Sequence, residues 1–378
     1  MTVIVVGAGV IGASVAEALA RRGIQVTVLD MRAPGRGASQ ASAGLLTPFI
    51  EGRIDAALLG LCTRGLTLWD EFISRIRERS GHPVEYARTG TLEVALSDEE
   101  AARLADMRAF LIERSVESQW IVGADVARFE PAVSPSATVG LFIPNQGFVA
   151  VPPLVRALAQ AARLQGARFE SPVEVVRIEP RAGRVDLYAD GRQLTADVAV
   201  VAAGTWSGRV RVAGVPSFPV RPMRGQLLQL RWTGSQLPSR PVWGTRSYTV
   251  PWQPDMLLVG ATLEDVGFDE RTTVAGVHDL LDGVGELLPG AWQASLVEVR
   301  VGLRPATSDL LPIVGPLRDA PRVVVATGHY RNGILLAPLT ADIVARQVVD
   351  GVSDPAIEIT TPDRFRKGGS YETFHDRR

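Results

Sequence analysis

The first thirty residues place the tightest constraint on how this chain can fold. Thr2-Val3-Ile4-Val5-Val6 is a short, β-branched apolar run, which predicts a buried parallel strand. Gly7-Ala8-Gly9-Val10-Ile11-Gly12 follows at once and spells G-x-G-x-x-G. Ala13 to Arg22 predicts a helix closed by Gly23, and Ile24 to Leu29 predicts a second strand ending on Asp30. Each piece has a physical task. Gly7 permits a tight turn, Gly9 lets a pyrophosphate approach the backbone, and Gly12 lets the helix pack close to the strand. The helix head offers N–H groups and a positive dipole end to phosphates. Asp30 stands where a carboxylate accepts hydrogen bonds from an adenosine ribose. With 37 glycines in the chain, a lone G-x-G-x-x-G arises easily by chance, and an ordinary tight strand-to-helix turn is the alternative. Strand, glycines, helix, strand and acid in the correct order favour dinucleotide binding.

A length of 378 residues predicts two domains and a large core. The net charge of −1 offers no basic field for nucleic acid. Among the 40 basic residues only Lys367 is lysine, so each arginine needs its own argument before it is given a role. Cys62 is the sole cysteine, which excludes a disulfide within the chain and a clustered cysteine metal site. His82, His278 and His375 show no metal spacing with carboxylates, so no metal is expected. The N-terminus lacks a charged leader region, and no uncharged apolar run approaches the length of about eighteen residues that spans a bilayer. The expectation is a soluble, cytoplasmic protein.

Beyond Asp30 the strand–helix alternation stops. Pro34 to Gly44 is a run of small residues, suited to backbone lying against a flat extended ligand or, alternatively, to a surface loop. Leu58 to Arg79 predicts one amphipathic helix with Leu61, Leu66, Trp69, Phe72, Ile73 and Ile76 on its apolar side. Tyr86 to Ala95 reads as a strand hairpin entering another domain, and Ser97 caps a helix to Glu113. Pro152-Pro153 open a helix through Leu164. Strand-then-glycine patterns recur at Asp197–Gly204 and Arg322–Gly328. Between them, Gln226–Trp232, Ser247–Pro251 and Met256–Ala261 predict antiparallel strands, and Gly333–Val349 predicts a final helix.

These residues carry a recognisable pattern. The fingerprint, Ser39 to Gly44, Arg224-Gly225-Gln226, Gly302-Leu303-Arg304-Pro305 and the block Gly328-His329-Tyr330-Arg331-Asn332-Gly333-Ile334-Leu335-Leu336-Ala337-Pro338 resemble the D-amino acid oxidase superfamily of flavin-dependent amine and amino-acid oxidases, over nearly the full chain. The last block is most similar to the glycine oxidases of bacterial thiamine biosynthesis. The resemblance implies an α/β fold in which a Rossmann-like FAD-binding domain (1–85, 148–220 and 300–362) is interleaved with a smaller antiparallel-sheet substrate domain (86–147 and 221–299), followed by a loose tail (363–378). It implies FAD, a small amino-acid substrate, O2 as acceptor, and a homotetramer. Because the sole thiol is Cys62 in an early helix, the FAD is expected to be held non-covalently.

Such chemistry moves hydride from Cα to the flavin and leaves an imine. Arg304 fits the carboxylate anchor, since its fork can donate two parallel hydrogen bonds; a structural ion pair is the alternative. Tyr248 matches a second carboxylate contact, or is a strand tyrosine packed in the core. Arg331 matches the arginine near the flavin and the substrate amine, or is a solvated loop residue. A helix beginning near Gly333 would turn its positive end to the flavin. Gly7, Gly9, Gly12, Asp30, Ser39, Ala43, Gly44, Val173, Gly204, Asn332, Gly333 and Ile334 fall to the cofactor. His329 is left as a loop residue, because the reaction needs no dedicated acid or base. A D-amino acid or sarcosine oxidase, a quinone-linked dehydrogenase and a non-catalytic flavin-holding subunit are the rival readings.

Overall fold

The computed structural model describes residues 1–51, 55–234, 236–252 and 254–366. Thr2–Val6 is a strand, Val10–Ala20 a helix and Gln25–Leu29 the next strand. The first strand lies inside a six-stranded sheet ordered Ile313–Leu317, Ala320–Thr327, Val198–Val201, Thr2–Val6, Gln25–Leu29, Arg168–Glu170. The last five run parallel, and Ile313–Leu317 closes one edge antiparallel. Side chains alternate between the faces of a strand. Val3 and Val5 therefore share a core with the helices Val10–Ala20, Val151–Leu164 and Ala337–Val349. Ile4 and Val6 face the opposite way, onto a four-stranded sheet built around Val175–Arg181 and Arg184–Ala189. Both faces are covered, so the strand is apolar at every interior position.

The second large sheet has eight strands, ordered Ser295–Ala306, Arg221–Arg231, Met256–Gly260, Tyr248–Trp252, Val242–Trp243, Thr91–Ala95, Val139–Ile143, Gln119–Val122. One neighbouring pair, Val242–Trp243 beside Thr91–Ala95, is parallel, which the sequence did not anticipate. Leu228, Leu230, Leu257 and Val259 pack on Leu280, Val284 and Leu287 of the helix Val274–Leu287. Leu227, Val250 and Leu258 face the other side and meet Ala43 and Phe148. The fold is α/β, with a Rossmann-like unit interleaved with a mostly antiparallel sheet.

Three local expectations need correction. The helix expected over Leu58–Arg79 is two helices, Ala56–Thr67 and Trp69–Ser80, with a tightened turn at Leu68. The Leu68 N–H reaches back three residues to Gly65, while Trp69 Nε1 donates to the Leu335 carbonyl at 3.0 Å. The helix is thus interrupted where it packs on the 335–336 segment, although its apolar spacing is unbroken. The expected hairpin at Tyr86–Ala95 is split. Tyr86–Ala87 joins a three-stranded sheet with Leu45–Leu46 and Gly147–Val149, whereas Thr91–Ala95 pairs with Val139–Ile143 in the large sheet. The last helix begins at Ala337 rather than Gly333. Pro338 has no N–H to donate and is tolerated only in a first turn.

No helix among the described residues is long and apolar enough to cross a membrane. The expected tail begins with the short 3₁₀ turn Pro362–Phe365; residues 367–378, with Lys367 and His375, lie outside the described residues.

Candidate functional site

A cavity of about 380 Å³ is walled by loops of the six-stranded sheet and by strands of the eight-stranded one. Gly7, Gly9, Asp30, Ser39, Ala43, Gly44, Val173, Gly204, Tyr248, Arg304, Arg331, Asn332, Gly333 and Ile334 are all among its lining residues. Gly12 is the one residue of the expected set outside this wall, and its surroundings explain it. A Cβ there would come 1.9 Å from the Gly7 carbonyl oxygen, so helix and strand touch at this point. Gly7 has a φ of +108°, which other residues rarely adopt. Around Gly9 the opposite holds. A Cβ there would find only Ser39 Oγ within 4 Å, at 3.4 Å, and its open side is the cavity.

At the helix head the Val10 N–H donates to Ser39 Oγ at 3.0 Å. Asp30 accepts the Ala8 N–H on Oδ2 at 2.6 Å and the Arg32 N–H on Oδ1 at 2.7 Å. Burial raises its carboxyl above the ordinary value, and these two N–H groups oppose that rise. Each oxygen keeps lone-pair capacity for a hydroxyl. The Val173 N–H is already given to the Asp30 carbonyl at 2.8 Å, which leaves the Val173 carbonyl for a ligand. A Cβ on Gly44, at φ +79°, would fall 1.7 Å from the Val149 carbonyl oxygen, so this stretch must be small.

The eight-stranded sheet contributes Tyr248 and Arg304 to the wall. Tyr248 opens the strand Tyr248–Trp252 and pairs with Gly260, where a Cβ would lie 2.4 Å from the Tyr248 hydroxyl. Arg304 stands on the strand Ser295–Ala306, and a Cβ on Gly225 of the neighbouring strand would come 2.4 Å from both of its Nη atoms. Two missing side chains therefore make the room that the phenol and the guanidinium fill. The sequence motif contained Gly225 but gave it no task, because the task appears only with the strand register. Arg304 Nη1 donates to the carbonyls of Thr262 at 3.0 Å and Arg224 at 3.3 Å. Burial pulls the Arg304 pKa below its ordinary value, against the pull of Tyr248. Burial likewise pushes the Tyr248 phenol up, so it stays a donor.

Arg331 Nη1 donates to Glu51 Oε2 at 3.4 Å. Glu51 also lines the cavity, and sequence reasoning missed it. It ends the four-residue helix Pro48–Glu51 and belongs to no motif.

Gly225→Ala would press a methyl on the movable end of Arg304 rather than on backbone, so the fold should survive while the guanidinium shifts. Losing a charged hydrogen bond is worth about 1.5–3 kcal/mol, and the affinity of a carboxylate ligand should fall roughly ten- to a hundredfold. Titration with a simple carboxylate, read from the flavin spectrum, checks this. Unchanged affinity would mean that the guanidinium does not serve the ligand.

His329 is buried, 3.0 Å from Thr340 Oγ1, and burial alone pushes its pKa down to about 3. An unfolded histidine titrates near ~6.5. Between these values only the unfolded chain binds the proton, so stability falls as pH falls, at up to about 1.4 kcal/mol per pH unit. Melting curves from pH 7 to pH 4 should therefore drop less steeply for His329→Asn than for the wild type. Parallel curves would remove this role.

A family model described as FAD dependent oxidoreductase (DAO) matches residues 2–347. The glycine oxidase of Geobacillus kaustophilus is 33% identical over 344 residues, 91% of this chain and 91% of that protein. A crystal structure of glycine oxidase from Geobacillus kaustophilus superposes with a TM-score of 0.90 at 32% identity, covering 96% of this chain and 98% of that one. The Bifunctional protein ThiO/ThiG of Nostoc sp. is 33% identical over 374 residues, which is 97% of this chain but 56% of that longer protein. The chain thus spans about half the length of this curated relative. The residues of this cavity fit FAD: an open glycine at a helix head, a hydroxyl beside it, and a carboxylate at the end of the second strand. The chain belongs to the DAO family of FAD-dependent oxidoreductases.

Proposed function

We propose that this protein oxidises glycine or a similarly small amino acid at Cα. The observation that carries the reading is the Arg304–Tyr248 pair, seated in the spaces left by Gly225 and Gly260 and open to the cofactor cavity. A guanidinium fork offers a carboxylate two parallel hydrogen bonds, and the protonated Tyr248 phenol adds a third donor. Holding both carboxylate oxygens also fixes Cα, which confers orientation as well as affinity. Bound FAD supplies the two-electron acceptor for the Cα hydride, regenerated by O2 with release of H2O2. Arg331, paired with Glu51, lies near Tyr248 and Arg304 and matches the family arginine on the substrate-amine side. Glu51 beside it also lines the cavity and offers a carboxylate acceptor to the substrate amine. The imine then hydrolyses to glyoxylate and ammonia or enters thiamine thiazole synthesis.

The flavin is held without a covalent bond. The only thiol, Cys62, is buried in the helix Ala56–Thr67, and burial and the Glu51 charge keep it protonated. The rival D-amino acid and sarcosine oxidase readings use the same clamp and differ in substrate size. A peroxide assay over glycine, sarcosine, D-alanine, D-proline and a carboxylate-free amine separates them. Glycine turnover at least equal to that of D-proline is expected. Turnover of the amine alone would sink the amino-acid reading.

A further inference from the structure

Arg32, two residues past Asp30, belongs to none of the motifs above. Its guanidinium lies 4.5 Å over the Trp206 ring, and both side chains line the cavity at the Asp30 end. Its two terminal nitrogens donate to the two carboxylate oxygens of Glu270, at 2.9 and 2.6 Å. Glu270 does not come from the Rossmann-like unit. It stands on the segment 261–273, which joins the strand Met256–Gly260 of the large antiparallel sheet to the helix Val274–Leu287. Phe268 of the same segment lies 6.0 Å from Trp206, and the Arg209 guanidinium sits 3.6 Å over Phe268. Side chains of the two structural units thus interleave as Arg32, Trp206, Phe268 and Arg209, tied by one bidentate ion pair.

The segment is braced at its base as well. Arg224, buried under it, donates to Glu264 at 2.5 Å, to Asp269 at 2.9 Å and to the Arg271 carbonyl at 3.2 Å. A bonded base and a bonded tip make 264–271 a bridge between the antiparallel sheet and the rim of the dinucleotide site. The Arg32 N–H also donates to Asp30, so displacement of Arg32 would be felt at the carboxylate assigned to the ribose.

We propose that this bridge is a clasp over the nucleotide end of the cofactor site, and that Glu270 is the positioning residue that sets how slowly FAD leaves. Glu270 does not line the cavity; it acts by holding Arg32 against Trp206. A dinucleotide held without a covalent bond leaves only when the elements on both sides of it separate. Here that separation breaks a bidentate pair that is about one-third exposed on each partner, at 33% and 28%. Pairs this open contribute modestly and are weakened by salt. The inference rests on the FAD of the family and not on the identity of the substrate.

The test uses holoenzyme without any substrate. FAD release after dilution is followed by the rise of free-flavin fluorescence at low and high salt, in wild type, Glu270→Gln and Glu270→Asp. Glu270→Gln should release FAD about three- to tenfold faster at low salt and lose most of the wild-type salt dependence. Glu270→Asp keeps the charge and should recover part of the retention. Apoprotein melting temperature should not change in either variant. Wild-type release and salt dependence in Glu270→Gln would overturn the proposal, leaving Arg32 held by its stacking alone. Faster release that tracks a lower apoprotein melting temperature, without rescue by aspartate, would make Glu270 a structural residue and overturn it equally.

Discussion

Arg304→Lys should lower kcat/KM for glycine by about a hundredfold or more, while a carboxylate-free amine loses far less. Lysine keeps the charge but replaces a planar fork by a single ammonium, so it tests geometry rather than attraction. In the wild type the guanidinium is fixed by the carbonyls of Thr262 and Arg224 and fills the space that Gly225 leaves. An ammonium cannot hold those carbonyls and both oxygens of a carboxylate at the same angles. Misplacing Cα by about 1 Å costs on the order of a hundredfold, to which the lost binding is added. FAD content should stay near wild type, because Arg304 stands on the antiparallel sheet and not on the strand–helix–strand unit that carries Asp30 and the fingerprint glycines. Anaerobic flavin reduction by stopped flow, with glycine and with the amine, reads both parts. Wild-type rate and affinity for glycine in the lysine variant would make Arg304 a structural residue.

Gly12→Ala should abolish tight FAD binding and destabilise the apoprotein, whereas Gly9→Ala should weaken FAD binding and leave the apoprotein intact. The difference follows from what each Cβ would meet. At Gly12 it would fall 1.9 Å from the Gly7 carbonyl oxygen, which is backbone and cannot rotate away. The helix Val10–Ala20 would have to lift off the strand Thr2–Val6, carrying its head away from Ser39. Overpacking of this kind costs about 3 kcal/mol, and the displaced head should reduce FAD affinity by about a hundredfold or more. At Gly9 the nearest atom is Ser39 Oγ at 3.4 Å, an ordinary contact, and the methyl would occupy ligand space instead. Apoprotein melting and FAD titration, run on both variants, give four numbers. Equal melting temperatures for the two would contradict the packing role of Gly12.

Clear in the sequence were those features whose cause is local. Thr2–Val6, the glycines and Asp30 lie within one strand–helix–strand unit, and a steric rule about a turn needs no knowledge of distant partners. The cap at Ser97, the prolines opening the helix at Val151 and the buried valines of Val198–Val201 are of the same kind. The start of the last helix is not legible in this way: the sequence suggests Gly333, whereas the helix begins at Ala337, beside Pro338.

Tertiary structure decided whatever depends on which segments become neighbours. Residues 86–95 could not reveal that their two strands serve different sheets, since the competing partners lie in 45–46 and 139–149. Nor could the spacing of 58–79 reveal the break at Leu68, beside which Trp69 Nε1 donates to the Leu335 carbonyl. At the site, Glu51 gains meaning only beside Arg331, 280 residues away. Gly225 and Gly260 likewise gain it only when strand register sets them against Arg304 and Tyr248. Local sterics and hydrogen bonding are written in adjacent residues. A cavity is the space left when distant strands align, and which side chain must be absent to open it is known only after they have.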